Sequence, residues 1–217
     1  MIFLRRIGIA AETFRGADMP ILVFDLFGVI ARHQSRRGLT AIENAAGLSS
    51  PEFWRAYWDL RPPYDRDDSS SLEYWQAVAR AVGTHFDDGQ IERLVTADLE
   101  SWSEVDEEMV DYVTGMSSRV RLALLSNIPA DLAAHFERRH PWLDAFEVRG
   151  FSCHIRHAKP EPDAYAWCLK ALGVQPSETV FIDDRAENVH AAEAMGMGGH
   201  LFTSLDSLRE RLGDRKS

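Results

Sequence analysis

A chain of 217 residues, 45% hydrophobic and 27% charged, is long enough for one full core or for a core with a smaller insert, and too apolar for disorder. Its formal charge of −10 argues against a nucleic acid or an anionic membrane as a general partner, and no apolar run approaches the roughly 20 residues that span a bilayer. Cys153 and Cys168 form neither a zinc knuckle nor a CxxC pair, so a reducing, cytoplasmic setting with both thiols packed is expected.

The first 18 residues carry basic side chains but no apolar h-region, which argues against a signal peptide. Met19 directly precedes the first strand pattern, so 1–18 read as an N-terminal extension. Ile21–Phe24 is a buried-strand run that stops at an acid, Asp25. Between Ile30 and Val120 lie about ninety residues of helical periodicity, too long for one crossover, and a helical insert is expected there. Within it "PEFWRAYWDLR" sets Trp54, Tyr57, Trp58 and Arg61 at i, i+3, i+4 and i+7. That stripe reads first as helix core, with a pocket wall as the other possibility. Arg61 and Tyr64 flank Pro62 and Pro63, which mark a loop able to reach over a site, and are the expected substrate contacts.

Four further apolar runs follow, at Val120–Leu125, Phe146–Val148, Thr179–Ile182 and Gly199–Phe202. Helical patterns come after the first three, as βαβ construction requires. "IPADLAAHFERR" has Pro129 in its first turn and basic residues at its end, and "EPDAYAWCLKALGV" runs from Pro162 to Gly173. The expected fold is a doubly wound, Rossmann-like α/β sheet of five parallel strands with a helical cap after the first. Expected boundaries are 19–32 and 106–217 for the core and 33–105 for the cap.

Chemistry concentrates at the strand ends, where open parallel sheets bind ligands. Asp25 ends the first strand, Ser126 and Asn127 the second, and the adjacent acids Asp183 and Asp184 the fourth, with Asn188 following. Lys159 lies in "HAKPEPDAY", just before a helix. The order Asp…Ser…Lys…Asp-Asp, carried by "FDLFGVI", "LLSN", "KPEPDAY" and "FIDDRAEN", resembles the four motifs of the haloacid dehalogenase-like hydrolase superfamily over Ile21 to Phe202. Its style is closest to the branch of sugar-phosphate phosphatases and the phosphatase domain of soluble epoxide hydrolases.

The resemblance implies a strand order of 5-4-1-2-3 and a Mg²⁺-dependent hydrolase of small phosphorylated metabolites, a monomer or homodimer. Asp25 would be the nucleophile, forming an aspartyl phosphate. Asp25, Asp183, Asp184 and the backbone carbonyl of Phe27 would hold the metal. Ser126, Asn127 and Lys159 would orient and neutralise the phosphoryl oxygens. The departure is Phe27, which stands where the family's phosphatases carry a second acid that protonates the leaving alcohol. His33 or a cap carboxylate would then stand in, or the substrate's leaving group needs no proton. The aromatic at 27 also raises a metal-independent 2-haloacid dehalogenase, against which the Asp183–Asp184 pair argues. A catalytically weak binding protein of the same fold is the third alternative.

Overall fold

The structure is a computed structural model describing residues 20–214, so the expected extension over 1–18 and the start at Met19 lie outside the described residues. Its sheet follows from side-chain alternation along short apolar strands. The strands are β1 (Ile21–Phe24), β2 (Leu122–Ser126), β3 (Val148–Phe151), β4 (Thr179–Asp183) and β5 (Gly198–Leu201). Leu22 and Phe24 join Leu122, Leu124, Val180 and Ile182 in one core cluster, which helices α6 (Glu107–Met116), α7 (Ala130–Arg139) and α11 (Leu205–Leu212) complete. Ile21 and Val23 join Ala123, Leu125 and Phe181 on the other face, covered by α9 (Pro162–Leu172) and α10 (Ala186–Ala194), and the single-turn α8 (Ser152–Ile155) follows β3.

All pairings are parallel and the order is β3-β2-β1-β4-β5, as expected when read from the opposite edge. β1 is central, and the chain changes direction across it between β3 and β4. A crevice therefore opens at the carboxyl end of β1, between those of β2 and β4.

The third strand begins where the apolar run was expected to end. Val148 pairs with Ala123 and Phe151 with Ser126, while Phe146 is buried in the core just after a 3-10 turn at Pro141–Ala145. The strand reads "VRGF", and its exposed Arg149 and its glycine break the apolar pattern that marks such strands. Gly150 lies in close approach, since a Cβ there would lie 3.0 Å from Leu125 Cδ1 and 3.1 Å from the Trp167 ring, tight enough that both side chains would have to give.

The insert between β1 and β2 contains α1 (Arg36–Ala46), α2 (Pro51–Asp59), α3 (Arg61–Asp65), α4 (Ser71–Ala81) and α5 (Asp88–Ser101). Its helices start where short polar residues can satisfy orphan N–H groups: Ser35 accepts from Gly38, Ser50 from Phe53, and Asp87 from Gln90. Ser70 and Glu73 form a capping box. The five helices bury a cluster of their own, with Phe53, Tyr57, Tyr74 and Trp75 at its centre. Its two linkers run side by side, Arg32 N donating to Glu104 O (2.8 Å) and Asp106 N to Ile30 O (2.9 Å).

At the heart of the insert lies a buried ion cluster. Arg61 donates from Nε to Asp65 (2.8 Å) and from Nη1 to Tyr57 Oη (2.8 Å) and Asp98 (3.0 Å). Tyr57 in turn donates to Asp98 at 2.5 Å. Burial is the main influence on Asp98 and raises its carboxyl, with Arg61 pulling the other way. Arg61→Met should therefore cost about 3–5 kcal/mol by leaving a buried carboxyl unpaired. Urea unfolding checks this, and adding Asp98→Asn should recover part of the loss.

Candidate active site

Asp25 follows the last residue of β1, and its position at the sheet's centre brings the other strand ends to it. Its Oδ1 accepts the Leu26 N–H at 2.7 Å and lies 2.7 Å from Lys159 Nζ. Both contacts fall on Oδ1 and not on Oδ2. Burial, helped by the charge of Asp183 and opposed by Lys159, pushes the Asp25 carboxyl up to about 7.

Lys159 is buried between two acids, with Nζ 2.7 Å from Asp25 Oδ1 and 2.7 Å from Asp183 Oδ2. Burial works against its ammonium, but the two carboxylates outweigh it and hold the pKa above the ordinary lysine value. Its backbone is clamped as well: the Asn127 side chain donates to Lys159 O (2.7 Å) and accepts from Lys159 N (2.8 Å). Asn127, an expected substrate contact, lines the cleft, and its side-chain amide also holds the Lys159 backbone in place. Ser126 also lines the cleft, and its Oγ is buried and has no hydrogen-bond partner among the described residues.

Asp183 and Asp184 differ although adjacent. Asp183 is fully buried and accepts Lys159 Nζ, Arg185 N and, at 3.0 and 3.1 Å, the Asn188 side-chain amide. Its hydrogen bonds position Lys159. Asp184 Oδ2 lies within hydrogen-bond distance of His33 Nε2, at 2.9 Å, while its Oδ1 is buried without a partner among the described residues. One carboxylate oxygen each from Asp25, Asp183 and Asp184 lie within 4.8 Å of one another. Three acids so close, with a single buried ammonium among them, form a donor set of hard oxygens that fits a divalent cation. Gly28 makes this approach possible: it has φ +85°, and a Cβ there would lie 2.4 Å from Asp184 Oδ2 and 2.8 Å from His33 Cε1.

The cleft has a volume of about 640 Å³ and is lined by Asp25, Phe27, Ser126, Lys159, Asp184 and Trp58, among others. The Phe27 ring packs against Trp102 (centroids 4.9 Å apart) and Phe136 (5.4 Å). Two expected substrate contacts are placed differently. Arg61 borders the cleft, but Nε and Nη1 of its guanidinium serve the ion cluster of the insert. Tyr64 is buried and is absent from the cleft's lining; its hydroxyl donates to Asp131 at 2.5 Å and ties the insert to α7. Both are drawn inward because the Pro62–Pro63 pair opens a short helix rather than an extended loop. Ser152 Oγ to Asp65 O, Arg66 to Glu161, and Arg156 to Asp67 and Asp68 complete the seam between insert and core.

The family model described as haloacid dehalogenase-like hydrolase matches residues 19–196. The chain belongs to this family. It is 33% identical to flavin mononucleotide hydrolase 1 of Arabidopsis thaliana over 94% of this chain and 80% of that one. It is 34% identical to fructose-1-phosphate phosphatase of Escherichia coli over 41% of this chain and 47% of that one. The fold superposes on a haloacid dehalogenase family enzyme of Bacteroides thetaiotaomicron, solved with magnesium and inorganic phosphate, with a TM-score of 0.70. That match covers 88% of this chain and 98% of the other at 19% identity. Among the described residues, no helix of this family member is long and apolar enough to cross a membrane.

Two contributors were poorly legible beforehand. Asn188 is visible behind the acid pair, but only the first turn of α10 shows that its amide returns to Asp183. Trp58 reads first as core from its helical spacing, whereas it is 49% exposed and borders the cleft.

Proposed function

We propose that this hydrolase is a Mg²⁺-dependent phosphatase of small phosphorylated metabolites, with Asp25 as nucleophile. The observation that carries the reading is the carboxylate cluster of Asp25, Asp183 and Asp184, whose Asp184 Oδ1 is buried and unpartnered. Asp25, Asp184 and the backbone carbonyl of Phe27 would hold the ion, with Asp183 beside them. When bound, Mg²⁺ supplies charge neutralisation for a phosphoryl group beside the carboxylates. Asp25 Oδ2 attacks phosphorus and the ester oxygen leaves, giving an aspartyl phosphate that water then cleaves. Ser126 Oγ donates to a phosphoryl oxygen, and Lys159 neutralises charge next to the nucleophile. Helices α1–α5 act as a cap that limits water and selects substrates.

The residue two positions after Asp25 cannot move a proton, because Phe27 ends in a ring seated between Trp102 and Phe136. His33, held on Asp184 at the cleft mouth, is the stand-in for proton transfer. The relatives make FMN, fructose 1-phosphate and similar monoesters the first substrates to test. A haloacid dehalogenase reading is disfavoured, because an open, buried oxygen on a third acid serves no purpose in metal-free halide displacement.

The test is a panel of these esters and 2-haloacids, each with Mg²⁺ and with chelator. Phosphate release that chelator stops is expected; halide release indifferent to chelator would overturn the reading. Millimolar Mg²⁺ should also raise the melting temperature, since a ligand that binds only the folded state stabilises it by mass action. Asp184→Ala should remove that rise. A wild-type melting curve unmoved by Mg²⁺ would count against the metal site.

A further inference from the structure

We propose that Trp58 determines specificity and that the cleft takes phosphate esters whose leaving group carries a flat apolar ring. The proposal rests on the phosphatase reading for the phosphate end of the substrate and adds the chemistry of the other end.

Trp58 departs from the pattern of its own helix. Phe53 and Tyr57 on α2 are fully buried, while Trp58 is 49% exposed. Of the large apolar side chains that stand exposed among the described residues, Trp58, Leu72 and Leu201, it alone borders the cleft. It continues a row of rings that begins two residues from the nucleophile. Phe27 packs on Trp102 at 4.9 Å, and Trp102 meets Trp58 edge to face, at 6.1 Å and 88°.

The row is anchored rather than loose. Trp102 is nearly buried and its indole N–H points to Tyr57 Oη at 3.3 Å, and Tyr57 belongs to the buried ion cluster. Beyond Trp58 the cleft borders a second hollow of about 420 Å³, which shares Trp58 and Trp102 and adds Trp54 and Leu39. The Trp54 N–H is already spent on Glu43 at 2.9 Å. Gln34, which also lines that hollow, uses its amide nitrogen on Ser101 (2.8 Å) and Tyr57 (3.1 Å).

One cleft thus combines Lys159 and Ser126, suited to a phosphoryl group, with a wall of aromatic rings, Phe27, Trp102 and Trp58, in which the Trp102 N–H is already occupied. A sugar would lay hydroxyls against that wall and lose their hydration without replacement. A planar ring would gain area burial and stacking. Phe27 then has a positive role, as the inner end of the wall.

The test compares 2-(2-naphthyl)ethyl phosphate with glycerol 1-phosphate, using the full chain with Mg²⁺. Both release an alkoxide, so they differ in the ring and not in the need for a proton. The naphthyl ester should be preferred in kcat/KM by about tenfold, mainly through KM, the scale of one stacked ring. Trp58→Ala should remove most of that preference and Trp58→Phe should restore it. A second arm needs no turnover: calorimetric titration with 2-(2-naphthyl)ethylphosphonate and with propylphosphonate. Tighter binding of the naphthyl compound in wild type, lost in Trp58→Ala, supports the wall even if no ester releases phosphate. That pattern would refute the phosphatase reading alone. Naphthyl binding no tighter than propyl binding, undetectable binding of both included, overturns the proposal, as does a preference that survives Trp58→Ala. Should that variant fail to fold, the two wild-type titrations decide.

Discussion

Asp25→Asn should lower phosphate release by at least about a hundredfold, the minimum expected when a nucleophile is removed. The carboxylate is the atom group on which the site converges: Lys159 lies 2.7 Å from its Oδ1, and its acid neighbours Asp183 and Asp184 complete the cluster. An amide keeps the shape but is a poor nucleophile and a weak ligand for a hard cation. The fold should survive, because burial already pushes the Asp25 carboxyl up to about 7, so a neutral group there is tolerable. Lys159 also keeps its contact with Asp183. Steady-state phosphate release with circular dichroism checks both halves. Activity above about a hundredth of wild type, with contamination excluded, would sink the assignment of the nucleophile.

Phe27→Asp should raise turnover of alkyl phosphates more than that of aryl phosphates. Acid–base help is worth typically 10²–10⁴-fold, which bounds the gain from above. The expected gain is about tenfold, since the surroundings of residue 27 are built for a ring. Trp102 and Phe136 flank it at 4.9 and 5.4 Å, and a carboxyl there would be desolvated and without a hydrogen-bonding partner to aim it. Desolvation favours the protonated form, which suits donation to a leaving alkoxide. It does not suit activation of water in the second half-reaction. Wild type should accordingly show a burst of alcohol as aspartyl phosphate accumulates, and the variant should keep part of that burst. The measurement is the ratio of alkyl to aryl turnover in wild type, Phe27→Asp and His33→Ala. Rapid alkyl hydrolysis in wild type that His33→Ala leaves unchanged would show that another group supplies the proton.

Much of the architecture was written in short-range pattern. Apolar runs ending in Asp25, Ser126 and Asp183 foretold central parallel strands with polar groups at their carboxyl ends, because a strand buried on both faces has no room for polarity until it leaves the sheet. The helix starts at Pro129 and Pro162 were equally legible, since Pro acts on backbone groups within one turn. The edge strand β3 was misplaced, because an edge strand tolerates Arg149 and its glycine answers to Leu125 and Trp167, residues outside its own run.

Short-range pattern alone names the polar groups of the site and the strand ends that carry them. Their division of labour comes from packing between distant segments. Asn127 and Lys159 are 32 positions apart, yet one amide clamps the other's backbone; His33 and Asp184 are 151 apart and share a hydrogen bond. Arg61 and Tyr64 turned inward to meet the buried Asp98 and the partly buried Asp131, and no local pattern records those partners. Trp58 turned outward because Tyr57, one position before it on α2, already fills the core of the insert. Helical spacing says which residues share a face, but the packing of the other four helices decides which face is left to the cleft.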